Sequence, residues 1–211
     1  MPQTPSSSSK LPKNWPKDIT YLTTLHIPPP LSNILLQTST ASPPSNDLPI
    51  IKSPPTPNPL IRILPITIPS HPAYGQHGLV ATRALAPLSF IILYLGTLHH
   101  SSDTLHAHSD YDLNLDHELG LSIDAATRGN EARFINDYRG VRPEGPNAEF
   151  RDCLVEVSHG RYERRIGVFV PSAGKAGKRS KGIAKGEEIV VSYGKGFWNA
   201  RKEEDRGENG E

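Results

Sequence analysis

Three short stretches of the sequence contain residue types that can hold and orient a ligand. Residues 133–136 have the sequence RFIN, residues 186–194 follow about fifty positions later as GEEIVVSYG, and residues 75–81 lie about 55 positions upstream as GQHGLVA. Glycine lets a backbone approach a ligand closely, and a tyrosine hydroxyl can act on a reacting group through position and electrostatics. The order and spacing of the three stretches argue against a chance occurrence of all three.

Other kinds of site have less support in the residue pattern. Four histidines crowd a short stretch together with two aspartates: His99, His100, His106, His108, Asp103 and Asp110. Metal ligands need fixed spacing on one face of a rigid frame, whereas this stretch is typical of a mobile loop between strands. No Ser-His-Asp arrangement and no phosphate-binding glycine loop is present elsewhere. We therefore predict no metal site.

Residues 133–136 and 186–194 together resemble the two signature motifs of the SET domain, the fold of S-adenosylmethionine-dependent protein-lysine methyltransferases. The resemblance covers about residues 74–198. It implies methyl transfer to a lysine of a protein or peptide, with a histone tail as one candidate and a ribosomal or other lysine as another. One alternative is a SET-fold protein without activity that serves as a binding module or scaffold. An unrelated β-protein is a third, and it requires Asn136 and Tyr193 to lie far apart.

The resemblance assigns the catalytic role to Tyr193, which matches the tyrosine that ends the second motif. Its hydroxyl would lie beside the transferring methyl group and orient the lysine amine, by position and electrostatics rather than as a strong base. By its own residue type, Tyr193 would equally suit a buried core position at the end of a strand.

The resemblance also assigns a set of cofactor contacts for S-adenosyl-L-methionine. They are His77, Gly78, Leu79, Arg133, Phe134, Asn136, Asp137 and Trp198. Two positions depart from the family pattern. Gln76 stands where the first glycine of a Gly-x-Gly loop would fall, and Asp137 stands where the family has a histidine. Adenine recognition through backbone groups would survive the change at Asp137.

The channel for the substrate lysine is predicted in the same way. Its residues are Tyr94, Tyr111, Phe150, Val191 and Phe197. Leu93, before Tyr94, replaces an acidic residue of the family. Neither Phe150 nor Val191 bears a hydroxyl that could restrict methylation to one step, so we expect room for two or three methyl groups. As plain residue types, both also suit ordinary core strands.

Stepwise along the chain, apolar clusters of β-branched and aromatic residues predict the strands that would position this site. They fall at 78–84, 89–98, 111–115, 150–157 and 166–170, with one further strand within 61–68. A short helix is expected around 124–134, with Asp124 as its N-cap. The predicted fold is mainly β, with several small curled sheets, a pseudoknot and short helices. By pattern alone, a generic β-barrel would also fit.

Proline content divides the chain, because 17 of the 21 prolines precede Tyr74. We predict a largely disordered or extended Pro/Ser-rich arm over 1–73, a SET domain over 74–198 and a charged tail over 199–211. A wholly dispensable N-terminal tail is the alternative for the arm. The loop 171–186 contains five basic residues, and either a solvated hairpin tip or a nuclear-import or acidic-partner patch would explain them.

Composition limits the possible partners and compartments. The formal net charge of +1 provides no overall field for binding nucleic acid or a membrane. The single cysteine, Cys153, excludes a disulfide framework and a multi-cysteine zinc cluster, and it suits a reducing compartment. No apolar run approaches the roughly 20 residues of a membrane span, and the N-terminus lacks the layout of a secretory signal. We expect a soluble protein of the nucleus, with the cytoplasm as a further location.

Overall fold

The computed structural model describes residues 11–38, 48–52, 56–172, 181–194 and 197–198. Within these ranges the chain forms thirteen short strands: β1 Thr20–Tyr21, β2 Ile50–Ile51, β3 Ile61–Pro65, β4 His77–Ala81, β5 Phe90–Leu93, β6 Thr97–His100, β7 Asp112–Asp116, β8 Leu121–Asp124, β9 Arg128–Gly129, β10 Asn136–Asp137, β11 Glu149–Ser158, β12 Arg161–Phe169 and β13 Val190–Val191. One α-helix, α1, is Pro29–Thr38, and two 3-10 helices are Thr104–His106 and Glu131–Phe134.

The strands are distributed over several small sheets. A four-stranded sheet has the order β2-β11-β12-β5, a three-stranded sheet has the order β6-β8-β7, and β1-β9, β3-β4 and β10-β13 are pairs. A cluster of buried apolar side chains joins them, with Leu79, Leu98, Ile123 and Phe169 among its most buried members. The predicted fold class, mainly β with several small sheets and short helices, is confirmed.

The hairpin of β11 and β12 forms the centre of the largest sheet. Its two strands pair antiparallel over most of their length. Gly160 takes a φ of +70° at the turn, a backbone conformation that costs glycine little and other residues more. The hairpin buries Cys153 and Val168 completely, and both side chains belong to the apolar core that the sheets share.

Much of the predicted Pro/Ser-rich arm is built into the fold. β1 pairs in parallel with β9, β2 pairs in parallel with β11, and β3 pairs antiparallel with β4. α1 begins at Pro29, where the fixed φ and missing N–H of proline suit a first helical turn. The arm predicted over 1–73 therefore differs from the structure at these elements, because pairing with distant strands holds them. The strand predicted within 61–68 is confirmed as β3.

The predicted helix over 124–134 is present only as the 3-10 turn Glu131–Phe134, and Asn130 occupies its N-cap position. The prediction of Asp124 as an N-cap is wrong, because this residue ends β8. Its carboxylate instead accepts hydrogen bonds from Ser109 Oγ at 2.7 Å and from the Ala126 N–H at 2.8 Å. Strand pairing on both sides of residues 125–127 leaves no space for a longer helix.

The histidine-rich stretch begins at the end of β6 and continues through the connection between β6 and β7, where hydrogen bonds hold parts of it. His99 and His100 end β6, and His106 ends a 3-10 helix. His99 Nε2 lies 2.8 Å from Asp112 Oδ1, and the rings of His99 and His106 stack at 3.9 Å. Within the described residues, no group of three or more His, Cys, Asp or Glu is arranged to hold a metal ion.

Two predicted segments lie wholly or partly outside the described residues. These are residues 173–180 of the basic loop and the tail over 199–211. Among the helices that the structure describes, none is both long and apolar enough to cross a membrane.

Candidate functional site

A cavity of about 320 Å³ lies where β4, the 131–136 segment and the C-terminal segment meet. It is lined by Pro16, Gln76, His77, Asp110, Tyr111, Arg133, Phe134, Asn136 and Tyr193. Six of these were predicted as site residues from the sequence: His77, Tyr111, Arg133, Phe134, Asn136 and Tyr193. The catalytic candidate, four cofactor candidates and one channel candidate therefore share one cavity, and the expectation of an unrelated β-protein, with Asn136 far from Tyr193, is not met.

Parallel pairing of β10 with β13 brings the two motifs together. Asn136 pairs with Val190 and Asp137 with Val191, and the Tyr138 N–H continues the ladder by donating to Val191 O at 2.9 Å. Two-residue strands need further support, since each contributes few hydrogen bonds. The next anchor, Asn147, supplies it from the other side.

Asn147 is completely buried and fastens the C-terminal motif. Its side-chain amide donates to Glu188 O at 2.8 Å and to Glu187 Oε1 at 3.1 Å, and its Oδ1 accepts from the Val190 N–H at 2.9 Å. A buried polar side chain is favourable only when its hydrogen bonds are made. Asn147 therefore fixes the backbone that leads to Tyr193.

Asn136 presents one free polar atom to the cavity. Its Nδ2 donates to Glu188 Oε1 at 2.8 Å and to His77 O at 3.3 Å. Both partners are acceptors, so they fix the amide orientation and leave Oδ1 without a hydrogen bond among the described residues. Asn136 is thus an oriented acceptor for a cationic or N–H-bearing ligand.

Glu188 holds this arrangement from behind. Its Oε2 lies 3.1 Å from His71 Nε2, and His71 Nδ1 accepts from the Ala73 N–H at 3.0 Å. Because Nδ1 is an acceptor, Nε2 carries the ring proton and donates to Glu188. A Cβ atom at Gly78 would come within 2.6 Å of Glu188 Oε1, so glycine at this position admits the carboxylate.

Tyr193 is held at both its backbone and its hydroxyl. Its N–H donates to Asp137 Oδ2 at 2.8 Å, and its hydroxyl donates to Ile135 O at 2.7 Å. Burial raises the pKa of Tyr193 above its ordinary value of 10.0, and the charge of Asp137 adds to the rise. The hydroxyl is therefore neutral at physiological pH, and its remaining lone pairs can accept a hydrogen bond.

Asp137 acts as the anchor of the C-terminal segment through its side chain. Besides the Tyr193 N–H, its carboxylate accepts from Trp198 Nε1 at 3.3 Å and from Arg139 Nη1 at 2.8 Å. The side chain faces these partners and does not line the cavity. The departure from histidine at this position thus supplies a carboxylate that ties Trp198 to the motif.

Arg133 forms one wall of the cavity, and two hydrogen bonds hold its side chain. Nε donates to Ala125 O at 3.0 Å and Nη2 to Ala126 O at 3.3 Å. The guanidinium carbon lies 4.3 Å from the Tyr111 ring centroid, within the range of a cation–π contact. Arg133 therefore orients Tyr111 and contributes a flat, positively charged surface.

The remaining channel candidates surround the cavity without all lining it. Tyr94 is buried and donates its hydroxyl to Tyr111 O at 2.6 Å, and its ring meets Phe150 edge-on at 5.6 Å. Phe197 meets the Tyr193 ring edge-on at 4.9 Å. Val191 has no exposed area and belongs to the core, as the simpler interpretation of its residue type would have it. Tyr94 supports Tyr111 from behind, and Phe150 faces a separate groove.

Leu79 has a role different from the one that the resemblance suggests. Its side chain is completely buried, and its backbone carbonyl accepts from the Ile189 N–H at 2.7 Å. It connects β4 to the C-terminal motif, while Gly78 lies beside Glu188 and His77 reaches the cavity. Trp198 lies on Asp137 and is absent from the cavity lining.

Sequence reasoning missed several residues that the structure places at the site. Glu188 and His71 support Asn136, while Asp110 and Pro16 line the cavity. Glu188 stands within the second motif, so its signal was present in the sequence. Nothing in the local pattern distinguishes Pro16 from the other N-terminal prolines.

A groove of about 370 Å³ opens beside the site between β7 and the β11–β12 hairpin. Leu113 and Asn114 line one side, and Phe150, Arg151, Asp152 and Ile166 line the other. β7 pairs only with β8 in its sheet, and β11 before Leu154 pairs only with β12 among the described strands. The groove thus has unpaired strand edges, which can bind an extended peptide.

Comparison with known proteins found solved structures that are similar to this chain. An apo form of Polycomb Repressive Complex 2 from Chaetomium thermophilum, with two substitutions in Ezh2, matches 68% of this chain at 25% identity and a TM-score of 0.48. An autoinhibited form of that complex bound to S-adenosylmethionine matches 69% at 22% identity and a TM-score of 0.47. The matches span 16% and 17% of those chains. No family model and no curated protein matches the sequence.

Proposed function

We propose that this protein is an S-adenosylmethionine-dependent protein-lysine N-methyltransferase. The supporting observation is that Asn136 and Tyr193, from motifs far apart in the chain, line one cavity together with His77. A free lysine amine has a pKa near 10.4, so its neutral form at pH 7 costs roughly 4.6 kcal/mol. A site for this reaction must lower that pKa by excluding water and must align the amine for in-line attack.

The cavity residues fit the proposed cofactor. S-adenosylmethionine would supply an electrophilic methyl group on a positively charged sulfonium, and it also bears an ammonium group. Asn136 Oδ1 gives the cavity an oriented acceptor suited to such a cation, and Asp110 is also part of its lining. The volume of about 320 Å³ lies at the lower end of the range of about 300–1,000 Å³ for small-molecule sites.

Tyr193 would position the lysine amine. Because its hydroxyl proton is used in the bond to Ile135 O, the hydroxyl oxygen can accept a hydrogen bond from the amine and set its direction. Its raised pKa keeps it neutral, so it is a poor general base. Tyr111 and the Arg133 guanidinium beside it would form the opposite wall, and an aromatic wall excludes water from the amine.

The substrate is proposed to be an extended segment of a protein, bound at the groove between β7 and β11. A histone tail is one such segment, and another protein lysine is the alternative. A nuclear location is proposed because a histone tail is one of the candidate substrates. Phe150 packs against Tyr94 between groove and cavity, and it has no hydroxyl. We propose that the site accepts two or three methyl groups.

The first experiment is transfer of labelled methyl from S-adenosylmethionine to core histones and to a cell extract. We expect label on a discrete band with the wild type and a loss of about 100-fold or more with Tyr193→Phe. Tyr162→Phe is the matched control, since Tyr162 lies on β12 outside the cavity lining. Equal transfer by wild type and Tyr193→Phe would contradict the proposed role of this residue.

Calorimetry distinguishes the enzyme from an inactive scaffold. We expect micromolar cofactor binding by the wild type, weakened about tenfold or more in Asn136→Ala because an oriented hydrogen bond to a charged group is lost. Asn33→Ala, at an exposed position on α1, should bind like the wild type. No binding together with no transfer would refute the enzyme and favour the scaffold.

A further inference from the structure

The segment from Asn14 to Ile27 runs across the domain as a docked strap. Asn14 Nδ2 donates to Ile63 O at 2.8 Å at one end. In the middle, β1 lies along β9, and the Leu22 N–H donates to Gly129 O at 2.7 Å. At the other end, His26 exchanges backbone hydrogen bonds with Gly96 and Leu98 at 3.0 and 2.9 Å. Hydrogen bonds along its whole length define the path of this strap.

Trp15, near the start of the strap, packs on the cavity wall. Its ring lies edge-on to Phe134 with a centroid distance of 5.7 Å and edge-on to Tyr21 at 4.9 Å. Its indole Nε1 donates to Ile19 O at 2.7 Å, which fixes the ring orientation. Phe134 in turn lines the cavity and faces the His77 ring at 6.0 Å. Trp15 therefore supports Phe134 directly and His77 through Phe134.

Tyr21 fastens the strap to the first motif. Its hydroxyl donates to Glu131 Oε2 at 3.0 Å, and the other oxygen of Glu131 accepts from the Asn58 N–H at 3.2 Å. Glu131 is buried and begins the 3-10 helix that contains Arg133 and Phe134. Burial, with the nearby charge of Glu131, raises the pKa of Tyr21, so its hydroxyl remains a donor.

Pro16 completes this set because it lines the cavity directly. Its neighbour Trp15 is held by Phe134, so the position of Pro16 is fixed by contacts that lie outside both sequence motifs. A rigid apolar ring at the cavity wall is suited to contact with a ligand's flat or aliphatic surface.

We propose that the strap is a working part of the cofactor site, in which Pro16 contacts the bound cofactor and Trp15 is a positioning residue for Phe134. This inference rests on the proposed function. It assigns to the N-terminal segment a share of cofactor affinity, where its composition alone predicted a disordered or extended arm and left a dispensable tail as the alternative.

The test is calorimetric titration of the full chain with S-adenosylmethionine. We expect Trp15→Ala to raise Kd about tenfold, because an aromatic pair is worth up to about 1.5 kcal/mol and each 1.4 kcal/mol is tenfold. Trp15→Phe keeps the edge contact with Phe134 and should recover most of the affinity. Pro16→Ala should raise Kd about threefold with little change in Tm.

Leu25→Ala is the control for a purely structural effect. Leu25 is buried near the other end of the strap and is not among the residues that line the cavity. We expect this variant to lower Tm while Kd changes less than twofold. If the wild type binds cofactor and both Trp15→Ala and Pro16→Ala bind it equally well, the strap has no role in the site and the proposed function stands. If the wild type binds no cofactor, both proposals fall.

Discussion

At the scale of the residue, two side chains of the cavity have donors that are already used. The hydroxyl of Tyr193 donates to Ile135 O, and the amide of Asn136 donates to His77 O and Glu188. These two side chains therefore offer a ligand their oxygens, Tyr193 Oη and Asn136 Oδ1, as oriented acceptors. Acceptors fixed in advance suit a reaction between an amine and a cationic cofactor, since no reorganisation is needed when the ligand binds.

Asp137 gives a prediction at this scale. Its burial acts to raise its pKa, but hydrogen bonds from the N–H groups of Tyr193 and Arg139 and from Trp198 outweigh this, and the pKa falls below 3.8. The ionised form therefore stabilises the fold in full above about pH 4, and this contribution is lost as pH falls through the lowered pKa. We expect Asp137→Asn to lower the free energy of unfolding by about 1–3 kcal/mol at pH 7.

Urea unfolding at neutral and acidic pH provides the measurement. The difference between wild type and Asp137→Asn should shrink as the pH falls below about 4, because Asp137 is then protonated first in the unfolded state and, at still lower pH, in the folded state. Asp18→Asn, at an exposed position, should unfold like the wild type throughout. A constant difference between wild type and Asp137→Asn at all pH values would contradict the assignment of the effect to ionisation.

At the scale of the element, very short strands carry the site and depend on side-chain anchors. β10 and β13 have two residues each, so their ladder alone is weak. Asn147 adds hydrogen bonds to Glu188 O and from the Val190 N–H, and Glu187 is held by Arg142 Nε at 3.1 Å. Position of the catalytic candidate thus depends on a residue 46 positions earlier in the chain (193 − 147).

We expect Asn147→Ala to destabilise the protein by about 2–4 kcal/mol, because it leaves buried backbone groups unpaired. Denaturant unfolding measures this loss. Hydrogen exchange should rise first at the amides of 190–193, before the β11–β12 hairpin is affected. The control Asn114→Ala changes an exposed asparagine of β7. Unchanged exchange at 190–193 in Asn147→Ala would show that the β10–β13 ladder suffices without this anchor.

At the scale of the whole molecule, small sheets share one apolar core, so the site and the core are expected to unfold together. The N-terminal strap, the central hairpin and the C-terminal motif all pair with strands distant in sequence. A fold dominated by such long-range pairing has few parts that could remain ordered alone.

Cys153 offers a direct probe of this cooperativity. It is completely buried between β11 and β12, and burial raises the pKa of its thiol to about 12. Thiolate is the reactive form, so we expect negligible labelling by a thiol reagent in the native state and labelling in urea that parallels global unfolding. Cys153→Ser gives the background. Rapid labelling of the native protein would show that the central hairpin opens locally.

The sequence by itself determined the mainly β architecture, and it named six of the nine residues that line the candidate cavity. Clusters of apolar residues indicate strands that are buried in the core. The two motifs indicate Arg133, Asn136 and Tyr193 because a motif is a local order of residues and can be found in the sequence alone. Tertiary structure alone decided the rest. Residue types did not distinguish Val191 as core, Asp137 as an anchor or Pro16 as a cavity wall, since each role depends on a partner far away in sequence. Composition left the order of the strap open for the same reason: proline content reports local backbone preference, whereas the order of β1 comes from its pairing with β9, more than a hundred residues later.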